Sequence, residues 1–293
     1  MLAFGGASLS GKGGGYGFGE VDNRQELLEF ALDFGIKLYD SAPIYGFGES
    51  ERFLGQFFEK IRDKVQIVSK AGVSWHPSKR VNMSNDPQLI QKMLDQSLRD
   101  LRSDYIDIYM IHWPDPNVDI RYSVEVLAKA QSLGKIKHIG LCNTNNEEIA
   151  LASEVARIEY LQSECNLFHN AFETVNDDGA KTMAWGVFDK GILAGSVNLD
   201  RKFDDSDCRS WAPWWKKSGW QKKVEYRDRF EFSEELQELS LHFALNVVDF
   251  VLIGAKSIQQ LEEVIKLKNR KIDTERIQEA RDYFSRYSLE KNK

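Results

Sequence analysis

Short apolar runs alternate along the chain with amphipathic stretches of helical length. The runs are LAFGG, IKLYD, KVQIVSK, YIDIYMIH, IKHIGLCN, EYLQSECN, MAWGVF and FVLIGA. Between them, residues 23–34, 50–61, 87–101, 122–133, 147–158, 233–244 and 258–267 repeat apolar side chains every three or four positions, which predicts helices. Strands that alternate with helices specify a parallel sheet, and about eight such units in roughly 270 residues fit an α/β fold closed as a (β/α)8 TIM barrel better than an open sheet. The tail 274–287 carries Ile277, Ala280, Tyr283 and Phe284 at helical spacing, so a C-terminal extra helix is expected to pack outside the barrel. No break in composition divides the chain, and residues 1–293 are expected to form a single barrel domain.

Two segments interrupt this rhythm. Residues 5–19 hold eight of the 21 glycines and are expected to be a flexible loop at the barrel mouth rather than a regular element. Residues 200–231 make a long loop after the seventh run, with Trp211, Trp214, Trp215 and Trp220 among many charges. Loops of that length are lids, binding loops or disordered segments, and four tryptophans argue against disorder. Residues 201–229 carry nine bases against five acids, a local excess suited to closing over phosphate or to a solvated face. The segment GASLSGKG comes close to a phosphate-binding loop, but Gly13 stands where a hydroxyl must hold magnesium and no helix can start in the glycines that follow. A G-x-G-x-x-G dinucleotide fingerprint is absent as well.

Composition narrows the function classes. With 293 residues and 42% hydrophobic side chains, the chain can bury a large core without staples. Its three cysteines, Cys142, Cys165 and Cys208, are too few and too widely spaced for a disulfide framework or a metal knuckle, so no metal site is expected. The start MLAFGGASLS has no basic segment and no long apolar stretch, and nothing approaches the roughly 18 apolar residues of a spanning helix. A cytoplasmic protein without a membrane partner is expected. The net charge of −6 supplies no basic field for nucleic acid.

The candidate chemistry is positional. Asp40, Lys70, His112 and Asn143 end four successive runs. In such barrels the catalytic groups stand at the C-terminal ends of the strands and converge on one mouth. Polar residues also end strands where chains simply turn, but Asp, Lys, His and Asn in sequence form a set with chemistry.

The segments DSAPIYGFGESERFLG, VSKAG, YIDIYMIHWPDP, IGLCN and IGAKSIQQLEE, in this order, resemble the aldo-keto reductase family, and the resemblance runs from about Leu2 to Lys268. It implies a (β/α)8 barrel that binds a nicotinamide dinucleotide without a Rossmann domain and reduces a small carbonyl substrate, an aldehyde or ketone. The family's catalytic tetrad falls on Asp40, Tyr45, Lys70 and His112. These residue types suit carbonyl reduction, in which carbon gains hydride and oxygen gains a proton, because a phenol can give that proton if a neighbouring ammonium stabilises phenolate. The resemblance makes Lys70 that cation, Asp40 its anchor, and His112 the group that orients the carbonyl oxygen. The resemblance also puts Asn143 and Gln162 on the carboxamide and Trp185 against the nicotinamide ring, where tyrosine is usual. Cys142 replaces the usual serine. Lys256 and Ser257 fall on the site of the adenosine 2′-phosphate, with Gln260 and Glu263 on the same helix, so NADP(H) is expected over NAD(H) although Gln260 stands where a cation is frequent and Val264 where asparagine contacts adenine. Ser257 and Gln260 read equally as a helix capping box. The first barrel strand is expected to open the chain directly, without the hairpin that closes the barrel bottom in most members of the family. Two other readings compete: a non-catalytic, cofactor-binding redox-sensing subunit, and a barrel lyase or hydrolase that uses these groups without nicotinamide.

Overall fold

A computed structural model describes residues 1–13, 16–21, 23–175 and 178–287. Eight of the apolar runs become the strands of one closed barrel: β1 (Leu2–Gly5), β2 (Leu38–Asp40), β3 (Gln66–Ala71), β6 (Ile106–Ile111), β7 (Ile136–Cys142), β8 (Tyr160–Glu164), β9 (Lys181–Trp185) and β10 (Phe250–Ile253). Neighbours pair in parallel in the order β1-β10-β9-β8-β7-β6-β3-β2, and β1 closes the ring by pairing β2 through Phe4↔Tyr39 and Gly5↔Asp40. Two further strands, β4 (Val73–Trp75) and β5 (Val81–Met83), form an antiparallel hairpin just beyond β3.

The helices α1 (Arg24–Asp33), α2 (Glu49–Phe58), α3 (Pro87–Asp100), α4 (Ile120–Ser132) and α5 (Asn146–Ser153) follow in turn. Local chemistry sets their starts. The carboxylate of Asp86 accepts from the backbone N–H groups of Gln88 and Leu89 while Pro87 occupies the first turn, and Asn145 and Glu148 close a reciprocal capping box on α5. The expected 147–158 helix stops at Ser153, where the Glu154 and Ala156 N–H groups turn back onto Leu151 and Ala152 carbonyls. Between β8 and β9 the described residues hold only the 3-10 turn Ala171–Glu173. The tail helix α11 (Thr274–Ser285) packs on that segment: Arg281 reaches Glu173 Oε1 and the Leu167 carbonyl at 2.6 and 2.7 Å, and Phe284 stacks edge-on to Phe168 at 4.7 Å.

The barrel has two apolar layers. Strand residues facing out pack under the helices, while Ala3, Leu38, Val68, Ile108, Met110, Cys142, Tyr160, Met183, Phe250 and Leu252 fill the interior. Strand side chains alternate with a period of two, so the inward row that holds Leu38, Val68, Met110, Tyr160 and Met183 continues upward through Asp40, Lys70, His112, Gln162 and Trp185. The mouth of the barrel is therefore polar because of where each strand stops.

Two expectations about the interrupting segments change. The glycine-rich start contains two short 3-10 turns, Gly6–Leu9 and Gly11–Gly13, and within it Gly6 serves close packing; Gly14 and Gly15 lie outside the described residues. A Cβ on Gly6 would collide with the Asp40 carbonyl, and one on Gly46, at φ +64°, with that of Ser10. The long loop folds into α6 (Cys208–Trp211), α7 (Pro213–Lys216) and α8 (Trp220–Arg227), before α9 (Leu236–Val247) and α10 (Ile258–Lys268) resume the barrel. Its tryptophans mostly hold it down: Trp215 is buried and stacks on Trp220 at 5.6 Å, whereas Trp211 stays exposed.

Candidate active site

Asp40, Tyr45, Lys70 and His112 meet at the C-terminal mouth of the barrel. Lys70 is fully buried and donates from Nζ to Asp40 Oδ1 at 2.6 Å and to the Ser41 carbonyl at 2.9 Å. Its ammonium lies 5.4 Å from the centroid of the Tyr45 ring, and that ring stands edge-on to His112 at 6.0 Å. Tyr45 reaches this position because the turn after β2 folds back on itself, with Tyr45 N–H on the Ala42 carbonyl and Ser50 N–H on the Tyr45 carbonyl. The four side chains arrive from β2 and β3, from the residue just past β6, and from one turn.

The electrostatics correct one simple expectation. Burial, and after it the Asp40 carboxylate, hold the Tyr45 phenol well above its ordinary range. Lys70 cannot pull it down alone, because a salt-bridged Lys70–Asp40 pair presents little net charge to the ring. Burial, with Lys70 adding to it, keeps His112 well below its ordinary value, so its imidazole is neutral at pH 7 and offers one N–H rather than a charge.

The adjoining strand ends carry the expected cofactor residues in a connected set. Asn143, at φ +60° just past β7, donates from Nδ2 to the His112 carbonyl at 3.0 Å and accepts at Oδ1 from Trp185 Nε1 at 3.1 Å. Asparagine tolerates this left-handed backbone better than most side chains. Trp185 is only partly buried although it belongs to the barrel interior, and Lys190 Nζ lies 5.2 Å from its ring centroid. Gln162 is buried and donates from Nε2 to Asp40 Oδ1 at 2.8 Å, so in this arrangement it supports the tetrad's carboxylate. Cys142 accepts from Asn143 at 3.1 Å, and burial pushes its thiol up to about 12.

At the other end of the mouth, Ser257 caps α10 by accepting from Gln260 N–H, and Gln260 Oε1 in turn accepts from Lys256 N–H at 2.8 Å. Lys256 Nζ lies 3.6 Å from Asp207 Oδ2 at the start of α6, while Glu263 is exposed and Val264 is buried. Asp207 is also held by Arg209 at 2.6 Å, and the chain around it docks on the glycine-rich segment through Cys208 N–H to the Gly17 carbonyl. Asp207 and the support given by Gln162 were missed from sequence. Neither ends a strand as a lone polar residue, so periodicity gave no signal.

This donor set suits a nicotinamide dinucleotide. It offers a half-open indole beside an amide at one end, and at the other a helix N-terminus with a lysine beside it, which suits phosphate. No group of His, Cys, Asp and Glu among the described residues is arranged to hold a metal ion, and no described helix is long and apolar enough to cross a membrane.

The sequence profile of the Aldo/keto reductase family matches residues 1–283. The chain belongs to the aldo/keto reductase family. It is 28% identical over 279 residues to an aldo-keto reductase of Bacillus subtilis, covering 89% of this chain and 84% of that protein. A similar match, 27% over 285 residues, is to the NADH-specific methylglyoxal reductase of Escherichia coli, with 88% and 87% covered. Another, 27% over 288 residues, is to a fission-yeast (Schizosaccharomyces pombe) aldo-keto reductase whose name specifies NADP(+), with 91% and 85% covered. Among solved structures, the glycerol dehydrogenase of Gluconobacter oxydans superposes with a TM-score of 0.79 at 29% identity over 98% of this chain and 91% of that one. As an aldo/keto reductase the protein is an oxidoreductase that reduces carbonyl groups with a nicotinamide cofactor.

Proposed function

We propose that this aldo/keto reductase reduces a small aldehyde or ketone by proton transfer from Tyr45, and that it prefers NADPH. The observation that carries the reading is the Tyr45, His112 and Lys70–Asp40 cluster, built without a missing member at one barrel mouth. A bound nicotinamide dinucleotide supplies the hydride. Tyr45 keeps its proton until negative charge develops on the substrate oxygen, because the buried phenol is a weak acid at rest. Lys70 stabilises the phenolate left behind, and Asp40 holds Lys70 in place while Gln162 holds Asp40. The neutral imidazole of His112 donates to the same substrate oxygen and fixes its approach to Tyr45. Asn143 and Trp185 form the nicotinamide end of the site, and Lys256 with the α10 N-terminus the adenosine end.

The preference for NADPH rests on Lys256. Burial draws its ammonium below its usual value while Asp207 opposes that effect, so the cation sits in a partly desolvated place where a second anion gains most. The relatives include both an NADP(+)-named and an NADH-specific protein. Consumption of NADPH and of NADH across a panel of sugar aldehydes, α-dicarbonyls and aromatic aldehydes tests the function. Turnover of none of them, with either cofactor, would sink it.

A further inference from the structure

Behind the Lys70–Asp40 pair, between the barrel wall and its helices, lies a carboxyl that the reaction above does not use. Glu51 stands in the first turn of α2 on the face that also buries Leu54, Gly55 and Phe58, and it is fully buried. Its Oε1 accepts from Ser69 Oγ at 2.6 Å, and Ser69 precedes Lys70 in β3. Ser97 Oγ of α3 lies beside its carboxylate and favours the charged form, and the Tyr109 hydroxyl of β6 lies beside Ser97. The neighbouring Ser50 bonds Ser41 Oγ at 2.8 Å and the Gly6 carbonyl at 2.9 Å. Ser41 follows Asp40, and its carbonyl receives Lys70 Nζ. The first turn of α2 thus holds residues next to both members of the ion pair, and through Ser50 N–H it holds the Tyr45 carbonyl as well.

We propose that Glu51 is a positioning residue for the reaction: with Ser50 it sets the Lys70–Asp40 pair against Tyr45 through Ser69 and Ser41, and reduction is faster when its carboxyl carries a proton. The proposal rests on the roles of Tyr45 and Lys70 given above. Its physical basis is competition for one cation. An ionised Glu51 draws on the field of Lys70 from outside the barrel, while phenolate developing on Tyr45 needs that field from inside. A neutral Glu51 leaves Lys70 to Asp40 and Tyr45. The groups that act on Glu51 are Ser69 and Lys70 of β3, Ser97 and Asp100 of α3, and Tyr109 of β6, with Asp95 near Tyr109. Burial and Asp100 favour its neutral form, Ser69, Ser97 and Lys70 its anion, and the balance places it at about 7. Tyr45 lies well above that range and His112 well below it.

The test is kcat against pH from about 5.5 to 8.5 with saturating NADPH, together with the NADPH dissociation constant by fluorescence. In the parent enzyme kcat falls by roughly threefold to tenfold as pH rises through neutrality, the effect of up to about one unit in the strength of the acid. Glu51→Gln removes this step and leaves NADPH affinity unchanged. Ser69→Ala keeps the carboxyl but loses the donor that favours its anion, so the step moves to higher pH; this variant also carries the test if Glu51→Gln folds poorly. A parent profile without the step, the parent's step persisting in Glu51→Gln, or an unmoved step in Ser69→Ala overturns the proposal. Parent-level activity in Tyr45→Phe instead overturns the tetrad reading beneath it.

Discussion

At the scale of single residues, the tetrad shows why four ordinary side chains need one another. Tyr45 alone is a buried phenol with little tendency to release its proton, and Lys70 alone is a cation that cannot rest in an apolar wall. Asp40 makes Lys70 tolerable and also weakens its field at the phenol, so in the proposed reaction the pair responds to charge that develops on Tyr45. Tyr45→Phe should retain NADPH binding while kcat falls by about 10² or more, the usual worth of a placed general acid. Turnover within a few-fold of the parent would remove Tyr45 from the chemistry. Lys256 makes a separate case at the proposed adenosine end of the site. Lys256→Ala should weaken NADPH by about tenfold or more and barely change NADH, since a charged hydrogen bond to phosphate is worth roughly 1.5 to 3 kcal/mol. Direct titration of both dinucleotides decides it, and equal losses would place the 2′-phosphate elsewhere.

At the scale of elements, α2 joins catalysis to stability. Its first turn anchors the Tyr45 segment through Ser50 N–H, and the next residue, Glu51, puts a carboxyl on its buried face. The usual carboxyl value of 4.5 rises to about 7 in the folded chain, so the native state binds a proton that the unfolded state has already lost. Stability therefore falls as pH rises from about 4.5 to about 7 and stays reduced above that. Glu51→Gln should match the parent near pH 4.5 and exceed it by up to about 3 kcal/mol at pH 8, as read from urea unfolding. A gain equal at both pH values would show that Glu51 binds its proton alike in the native and unfolded states, so that burial does not raise it. The sequence made the barrel legible because each strand is a compact apolar run and each helix has a periodic face. Asp40, Lys70, His112 and Asn143 stood out because they stand at or next to strand ends, whereas Tyr45, in a turn, was pointed to only by the family resemblance. Glu51 carried a weaker signal, an acid among Leu54, Gly55 and Phe58 on the apolar stripe of a helix, easily read as a residue on the edge of an exposed face. Asp207 and the Gln162–Asp40 bond carried none, since each depends on segments distant in sequence meeting across the mouth.

At the scale of the whole molecule, the question is whether the 200–231 segment opens and closes as one piece. Its later part is built into the body of the protein. Trp215 and Val224 are buried, Arg227 Nη1 binds the Ile192 and Val197 carbonyls at 2.9 and 2.7 Å, and Lys223 reaches Asp189 at 2.6 Å. Tyr226 and Tyr283 exchange hydroxyl-to-carbonyl bonds at 3.0 and 3.1 Å, which ties α8 to the tail helix. The earlier part is attached differently. Residues 204–209 meet the glycine-rich segment through the Phe18↔Asp207 bridge and the Cys208–Gly17 bond, and they face Lys256 through the Asp207 carboxylate, which the proposed 2′-phosphate would replace. Local opening follows the weakest set of contacts, so the two parts should respond to cofactor separately. Amide exchange should show residues 212–227 protected with and without NADPH, whereas residues 16–18 and 204–209 should slow only when it is bound. A uniform gain of protection across 203–229 would mean that the entire insertion moves as a lid, and the contacts of Arg227 and Tyr226 would then have to break in every cycle.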